Sequence, residues 1–525
     1  MAGMPIKAPA PSPRAVVRLQ AVIFLGADAM SMMVEEQQRG GEHRVLDVLS
    51  QPVELAQDVF GGGLISRDTM DRCVHVARGF LHLLEEYRPA GELQVRLLAT
   101  NILLDIRNMD TLVNRIQIAC GLHLQVMDDG EMTRLLYLHV QQVLAEHPEL
   151  GKKRVVVQHI GPGNTRFIVL ERGRITHYAN YRIGAHRTAV RIGDASPAGA
   201  DSESALIREH IRGTIEQISY DLDGALTGTP DALLVFGPDF RCCDPAASPG
   251  EVLSPEQLAQ RASELARLRP ERRAELYRED EAAVAAMLPA MLIALAVARA
   301  LKPGAVLCPA EAYAHEFLRH LMPAAGNDTA LEDEVIHFSQ LLAARYRVDR
   351  GHSSQIRKLC TALFDALQEL HGLSRHDRLV LKVAAILHEI GTYISPKNHH
   401  RHGQYIILNS EIFGLSRRDV EVVGLLARYH RHGAPTMEDS SYTELELADR
   451  LRVQKLAALL RVAEAMERAH SHRISEFTVR RNNRRLELLV PGVRDLTLEN
   501  HALRDKGALF TDIFGYEPVL LPAEV

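Results

Sequence analysis

The stretch VVVQHIGPGNTRFIVLERG, Val155 to Gly173, has the composition of a phosphate-binding hairpin. Two apolar runs flank a turn with two glycines, and glycine lets backbone N–H groups approach a phosphate closely. The turn contains no carboxylate that could hold a metal ion or activate a water. The predicted phosphate-binding residues of the turn are Gly161, Gly163, Asn164, Thr165 and Arg166.

A second stretch, AVIFLGADAMSMMVEE (Ala21 to Glu36), also has the pattern strand, glycine turn, strand. Its Gly26 precedes Gly161 by 135 residues and is a further candidate phosphate contact, and Asp28 supplies an acid beside it. Such self-similarity at a fixed interval indicates a repeated unit. The sequence therefore predicts two similar α/β lobes, each beginning with a hairpin.

Histidines are frequent after residue 350, in segments with helical periodicity. His388 and Glu389 end an apolar helix, and the pair is not an H-E-x-x-H zinc motif because Thr392 replaces the second histidine. His352, His430 and Glu464 lie on other predicted helices. Single ligands from several facing helices can form a metal site, although histidines at helix ends also cap carbonyls.

The elements that must position these residues divide the chain into five parts. Alternating strand and helix patterns continue to about residue 328, helices follow one another to about residue 473, and a hairpin pattern comes next. The amphipathic segment EAYAHEFLRHLM is predicted to close the second lobe. The predicted parts are a disordered lead-in at 1–19, lobes at 20–141 and 142–328, a helical domain at 329–473 and a small α/β domain at 474–525.

Composition sets further limits. A chain of 525 residues exceeds the size of one hydrophobic core. A net charge of −6 predicts no general attraction to nucleic acid or membrane. Six scattered cysteines without a C-x-x-C pair argue against disulfides and predict a reducing, cytoplasmic location.

The sequence predicts no secretion signal and no membrane span. The N-terminus lacks the apolar region of a secretion signal. The Ala-rich run 282–298 is only 17 residues long and is predicted to be a buried core helix.

The helical part resembles the C-terminal HD-type domain of the Ppx/GppA exopolyphosphatase and guanosine-pentaphosphate phosphatase family. The runs HEIG, HHRH, ILNS and ARYHR are the most specific parts of this resemblance. It implies that the upstream lobes are the family's two actin-like (ASKHA) lobes, that the protein forms a homodimer, and that polyphosphate or guanosine pentaphosphate is its ligand.

The chain departs from the family pattern where that pattern places catalytic acids. Phe24 stands at the Asp of the first hairpin, and His159 and Arg166 stand at acidic positions of the second. The resemblance implies a catalytic base at Met132, next to Glu131. Neither Phe24 nor Met132 can position a water or bind Mg²⁺, and loss of a general base typically costs about 10²–10⁴-fold in rate.

In the HD-type region the resemblance implies metal ligands at His352, His388, Glu389 and Glu464, with His402 (or His400) and His430 as further ligands. Both Asp positions of the HD pattern are Glu. Glu can ligate Mg²⁺ or Mn²⁺, but its extra methylene group moves the carboxylate.

Three functions remain open from the sequence. The favoured hypothesis is a polyphosphate- or guanosine-pentaphosphate-binding protein with an impaired actin-like site, that is, a pseudoenzyme. The second is an active exopolyphosphatase whose acidic site is rebuilt from neighbouring acids such as Asp28, Asp128, Asp129 or Glu131. The third is a metal-dependent phosphohydrolase that uses the HD-type domain on a nucleotide or another phosphoester. The second requires Asp28 and Glu131 to face one cleft, and the third requires the histidine and glutamate ligands to converge.

Overall fold

The structure is a computed structural model, and it describes residues 17–37, 43–87, 91–193, 200–226, 228–240, 251–278, 281–309, 313–322, 329–431 and 433–523. Most of the predicted disordered lead-in, residues 1–16, lies outside the described residues. The described chain contains three β-sheets and a long run of helices.

The first sheet combines an antiparallel meander of three strands with two further strands that pair in parallel. β1 pairs antiparallel with β2 and parallel with β4, β2 pairs antiparallel with β3, and the order is β3-β2-β1-β4-β5. Aliphatic side chains of these strands and of three helices form one buried core. The elements are β1 (Val17–Leu25), β2 (Ala29–Gln37), β3 (His43–Pro52), α1 (Leu55–Gly61), α2 (Arg67–Leu84), β4 (Gly91–Ala99), a 3₁₀ helix (Asn101–Asp105), α3 (Met109–Cys120) and β5 (Leu124–Val126).

The second sheet repeats this arrangement. β6 pairs antiparallel with β7 and parallel with β9, β7 pairs antiparallel with β8, and the order is β10-β11-β9-β6-β7-β8. The predicted pair of similar lobes, each opening with a hairpin, is confirmed. The elements are α4 (Asp129–Glu146), a 3₁₀ helix (Leu150–Lys152), β6 (Arg154–Ile160), β7 (Thr165–Glu171), β8 (Arg174–Tyr181), α5 (Ala185–Gly193), α6 (Ala200–Ala225), β9 (Ala232–Phe236), β10 (Glu251–Leu253), α7 (Pro255–Arg267), α8 (Pro270–Tyr277), α9 (Glu281–Leu301) and β11 (Val306–Cys308).

Helix α9 is the only described helix that is long and apolar enough to cross a membrane. Its most apolar window is 78% buried inside the protein, where it packs against helices α5, α6 and α7. The predicted assignment of this run as a core helix agrees with that packing.

Helix α5 connects the two lobes. Ala185 and Ile192 lie in the core of the second lobe, whereas Val190 lies in the core of the first. The guanidinium carbon of Arg187 lies 4.7 Å from the centre of the Phe60 ring on α1. The lobes are therefore joined by apolar packing and not only by the chain.

One prediction about domain organisation was wrong. Helix α10 (Tyr313–Leu321) was predicted to close the second lobe, but it packs against α4 and against β1 and β2 of the first sheet. Leu318 and Leu321 share a buried cluster with Val22 of β1. The amphipathic pattern predicted the helix correctly but did not specify which sheet its apolar face covers.

The following helices enclose the histidine-rich region, and their core is continuous with one face of the second sheet. Two of them, α14 and α16, begin with a capping box in which a serine and an acid three residues later bond each other's backbone N–H. The helices are α11 (Thr329–Arg345), α12 (Arg350–Ala366), α13 (Gln368–His371), α14 (Arg375–Leu387), a 3₁₀ helix (Ile390–Tyr393), α15 (His399–Leu408), α16 (Arg417–Tyr429), α17 (Ser440–Thr443) and α18 (Leu447–Met466).

A small three-stranded sheet of order β12-β13-β14 follows, and two helices pack against it and against α18. The predicted hairpin is β12 with β13, and the parallel strand β14 completes the sheet. The elements are β12 (Thr478–Asn482), β13 (Arg485–Val490), α19 (Thr497–Lys506), α20 (Ala508–Phe514) and β14 (Glu517–Pro522).

Candidate functional site

Four side chains from three helices converge in the helical region. His352 lies in the first turn of α12, His388 and Glu389 directly follow α14, and Glu464 lies near the end of α18. One ligand atom from each lies within 4.8 Å of the others. The structure thus brings together the four residues that the sequence proposed as a metal set.

A second group shares Glu389 with the first. It consists of Glu389, His399 in the first turn of α15 and His430 after α16, again within 4.8 Å. All members except Glu389 are buried. We call the combined set the histidine cluster: His352, His388, Glu389, His399, His430 and Glu464.

Backbone carbonyls fix the orientation of three imidazoles in this cluster. Nδ1 of His388 donates to Ala385 O at 2.9 Å, and Nδ1 of His430 donates to Ala427 O at 2.6 Å. Nδ1 of His399 donates to Pro396 O at 2.9 Å. Each Nε2 therefore faces the cluster, and a hydrogen bond of this kind is what commonly sets the tautomer of a metal-binding histidine.

The short distance between Nε2 of His399 and Nε2 of His430 shows whether the cluster suits a cation. Their Nε2 atoms lie 3.2 Å apart, and both Nδ1 atoms already carry the proton. In neutral rings the two Nε2 lone pairs face each other, so a proton or a metal ion must lie near both. Burial, and then the neighbouring His388, keep the pKa of His430 well below its usual value, which opposes protonation. The donors therefore fit a divalent metal ion.

Glu464 is the electrostatic centre of the cluster. Its Oε1 lies 3.0 Å from Nε2 of His352 and 2.6 Å from Nε2 of His388. Lys506 donates to its Oε2 at 2.8 Å. Burial alone would raise the pKa of Glu464, but these hydrogen bonds and charges lower it well below its usual value, so the group is a carboxylate.

The prediction of His402 as a ligand requires a correction, because His399 takes that place. His402 lies one turn further along α15 and belongs to neither metal-binding group of the described residues. The backbone of Gly391 lies so close to His399 that an added Cβ would be 1.9 Å from His399 O. This close approach brings the first turn of α15, rather than the second, to the cluster. The run HHRH indicated that a histidine of this segment is a ligand, but it did not indicate which one.

Several polar groups of the predicted phosphate-binding turn between β6 and β7 bond within the protein. The N–H of Gly161 donates to Asn164 O at 2.9 Å, and Thr165 Oγ1 donates to Ile183 O at 2.6 Å. Arg166 is buried and donates to Asp129 at 2.7 Å. Gly26 of the first turn likewise donates to Ala29 O at 2.8 Å. A phosphate would have to replace these bonds.

The start of α5 covers the same turn. Ala185 N–H donates to Gly161 O, and Arg187 donates to Pro162 O through its N–H and to Gly163 O through Nε. Only glycine fits at position 184, where a Cβ would lie 2.5 Å from Pro162 O. The second lobe's own helix therefore holds this turn in place.

The two predicted catalytic acids have different neighbours in the structure. Glu131 closes the capping box of α4 by bonding Asp128 N–H, and it also accepts from Gln125. Burial raises the pKa of Glu131. Asp28 instead lies within 4.8 Å of His186 and Asp239, two residues that the sequence analysis missed. The glycine element DALLVFGPDF contains Asp239, but nothing in the sequence linked it to His186.

The residues that the resemblance places at catalytic positions are apolar or enclosed. Met132 is buried in the cluster that also contains Leu135, and the Phe24 ring packs edge-on against Phe317 at 4.9 Å. His159 is buried, and burial followed by the charge of Arg166 keeps its pKa well below the usual value, so the ring is neutral. No carboxylate occupies the corresponding places.

Comparison with known proteins gives two family matches. The model described as the Ppx/GppA phosphatase family matches residues 34–323, and the model described as Ppx/GppA phosphatase, domain III, matches residues 338–507.

Solved structures with similar folds include three examples. The Aquifex aeolicus member of the Ppx/GppA family is 15% identical with a TM-score of 0.43, and the match covers 56% of this chain and 94% of that one. An exopolyphosphatase from Cytophaga hutchinsonii is 15% identical with a TM-score of 0.47, covering 57% and 98%. The ethanolamine utilization protein EutJ from Carboxydothermus hydrogenoformans is 16% identical with a TM-score of 0.26, covering 44% and 78%.

Proposed function

The chain belongs to the Ppx/GppA phosphatase family and has its actin-like fold, and we propose that it is a metal-dependent phosphohydrolase whose active centre is the histidine cluster of an HD-type domain. The actin-like cleft, in this proposal, is catalytically impaired. This places the chemistry in the helical region, the third of the functions that the sequence left open.

The observation that carries the proposal is the convergence of six potential ligands with three imidazoles already oriented. Four imidazoles and two carboxylates meet, and the carbonyl bonds of His388, His399 and His430 aim Nε2 at the centre. Imidazole suits Fe²⁺ and Zn²⁺, and carboxylate suits Mn²⁺. Because this cluster combines four imidazoles with two carboxylates, we propose Mn²⁺ rather than Mg²⁺ as the working ion.

The impaired cleft is supported by the groups that replace its acids. Hydrolysis of a phosphoanhydride requires a group that positions or deprotonates water and a cation that offsets charge on the phosphoryl oxygens. Met132 and Phe24 have no ionisable group, and Arg166 is committed to Asp129. The contacts of Glu131 also argue against the second function, because its carboxylate bonds Asp128 N–H and Gln125 as part of a helix cap.

The residues of the cluster have different proposed roles in metal and substrate binding. His352, His388, His399 and His430 would hold the metal with Glu389 and Glu464, and a bound metal ion lowers the pKa of a coordinated water and offsets phosphoryl charge. Glu464 Oε1 lies between Nε2 of His352 and Nε2 of His388 and so fixes the place of these rings relative to the metal position. Lys506, 12% exposed at the edge of the cluster, places a positive charge where an anionic phosphate enters.

The substrates proposed are polyphosphate and guanosine pentaphosphate, since both are phosphoanhydrides of the kind that the family's name implies. We further propose that the protein acts as a cytoplasmic homodimer that recognises no specific nucleic acid. Binding of polyphosphate without hydrolysis is the second candidate function, supported by the lost acids of the cleft.

Phosphate release separates these functions. Wild type, His388→Gln and Glu131→Gln are assayed with polyphosphate and with guanosine pentaphosphate in Mn²⁺, with and without chelator. We expect release that His388→Gln lowers by at least about 100-fold and that Glu131→Gln leaves unchanged. Release lost only in Glu131→Gln would return the chemistry to the cleft. Salt-sensitive binding without release by wild type would support the binding protein.

A further inference from the structure

Outside the histidine cluster, ligand atoms of Asp28, His186 and Asp239 lie close together in the cleft between the lobes. We propose that these three residues bind a divalent transition-metal cation, Mn²⁺ or Zn²⁺, that links the two lobes. This site is separate from the histidine cluster, and the proposal does not depend on the function proposed above.

Each ligand comes from a different segment. Asp28 lies in the turn between β1 and β2 of the first lobe, His186 in the first turn of α5, and Asp239 in the loop after β9 of the second lobe. One ligand atom of each lies within 4.8 Å of the other two. One imidazole and two carboxylates form a ligand set that Mn²⁺ and Zn²⁺ accept.

Asp239 supplies an observation independent of this grouping. Its side chain is only 2% exposed, and Oδ1 lies 3.1 Å from Nε2 of His186. Its second oxygen, Oδ2, is buried and has no hydrogen-bond partner within the part of the chain that the structure describes. A buried carboxylate oxygen without a partner carries a large desolvation cost. A cation between Asp239 and Asp28 would remove that cost.

The backbones that carry the three ligands are held rigidly. Asp28 lies in a turn that Gly26 and Val53 close by hydrogen bonds of 2.8 and 2.7 Å. The loop of Asp239 passes so near β6 that a Cβ on Gly237 would lie 2.0 Å from Ile160 O. His186 belongs to the first turn of α5, which bonds the β6–β7 turn. Ligands fixed in this way lose little entropy when a metal ion binds.

Distance and charge also agree with a single ion. With metal–ligand bonds of about 2.1 Å, two opposite ligands lie up to about 4.2 Å apart. The group therefore needs at most a closure of about 0.6 Å, the difference between about 4.8 and 4.2 Å. Two carboxylates balance the charge of a divalent ion, so the neutral imidazole can act as the third ligand.

The test is equilibrium binding of Mn²⁺ to the full chain, measured from the electron paramagnetic resonance signal of free Mn²⁺. Wild type is compared with Asp239→Asn, His186→Gln and His388→Gln. We expect Asp239→Asn and His186→Gln to lose one class of Mn²⁺ site and to keep the class that His388→Gln removes. Mn²⁺ binding by Asp239→Asn that equals wild type in number and affinity would overturn the proposal.

A matched control is His376→Gln. His376 forms a similar contact with Asp419, at 2.8 Å, but neither residue belongs to a metal-binding group of the described residues. This variant is expected to bind Mn²⁺ as wild type does, and an equal loss in His376→Gln and His186→Gln would overturn the proposal.

A second variant covers the case in which Asp239→Asn or His186→Gln does not fold. Asp28 is only partly buried, and Asn tolerates the same turn geometry. Asp28→Asn is expected to weaken this class of Mn²⁺ site at least about tenfold, and unchanged affinity in a folded Asp28→Asn variant contradicts the proposal. If His388→Gln alone binds as wild type does, the proposed function fails while the interlobe site stands.

Discussion

The ammonium group of Lys506 lies 2.8 Å from Oε2 of Glu464, although 42 positions separate the two residues in the chain. Lys506 ends α19 of the C-terminal domain, and Arg461 of α18 holds that end by donating to Lys506 O at 2.9 Å. The small C-terminal domain therefore delivers a buried positive charge to the histidine cluster of the helical region.

This charge predicts opposite effects on metal and substrate. Replacing Lys506 by Met removes repulsion of the cation, so we expect the Mn²⁺ affinity of the cluster to rise at least about tenfold. The same change removes attraction for a phosphate, and kcat/KM for polyphosphate should fall by at least about tenfold. Lys506→Arg, which keeps the charge, is the control. A fall in both quantities would mean that Lys506 only supports the structure.

Adjacent histidines of α15 allow a direct test of the cluster's membership. His399→Gln removes a proposed ligand, and we expect Mn²⁺ to bind the cluster about 10–100-fold more weakly. His402→Gln changes the same residue type one turn away and should leave the affinity within about twofold. Titration of Mn²⁺ by electron paramagnetic resonance measures both variants. The reverse order of effects would restore His402 as the ligand.

The close approach of Gly391 to α15 predicts a large effect of one methyl group. The Cβ of Gly391→Ala would lie 1.9 Å from His399 O and 2.3 Å from Gly403 N, and both atoms belong to the backbone. We expect a loss of about 3 kcal/mol or more in the free energy of unfolding of the helical region, together with weaker Mn²⁺ binding.

Gly79→Ala is the control for this substitution. Gly79 lies on the exposed side of α2, and nothing lies within 4 Å of an added Cβ. The variant should be stabilised by about 0.5–1 kcal/mol. Urea unfolding measures the change in the free energy of unfolding of both variants. Equal changes in the two variants would contradict the close packing at Gly391.

The contact between His376 and Asp419 predicts a pH dependence of stability. Its hydrogen bond raises the pKa of His376 above 6.5; for Asp419, burial opposes but the contacts with His376 prevail and lower the pKa. The raised histidine contributes stability below about pH 6.5 that is lost as the pH rises through its folded pKa. The lowered acid contributes stability above about pH 4 that is lost as the pH falls through its folded pKa.

Both contributions are therefore present at about pH 5.5, and the histidine's share is lost in alkaline solution. Because the His376 side chain is 52% exposed, we expect an effect of about 0.5 kcal/mol or less. The difference in urea unfolding midpoint between wild type and His376→Gln should shrink from pH 5.5 to pH 8.5. A difference that grows over this range would reverse the assigned sign.

Local patterns predicted those parts of the fold that local forces determine. The glycine turns after Leu25 and Ile160 and the alternating strands beside them gave both hairpins. The position of α10 was not predictable in this way, since its apolar face fits either sheet and only the complete fold selects β1 and β2.

The site shows the same limit. Helical periodicity placed His352, His388, His430 and Glu464 on facing helices, and the structure brings them together. His399 could not be distinguished from its neighbours, because its place depends on how closely α15 approaches Gly391. Asp239 and His186 meet only because α5 and the loop after β9 are packed at one end of the second sheet.

Helix α5 also determines how readily the lobes separate. Opening the cleft as a hinge would expose Val190, which lies in the core of the opposite lobe, and would break the contact between Arg187 and Phe60. Exposing one such aliphatic side chain costs about 1.5–3 kcal/mol, so open conformers make up less than about a tenth of the molecules. The interlobe cleft is therefore open in only a minority of molecules, and amide hydrogens of the β6–β7 turn should exchange slowly compared with those of other surface turns.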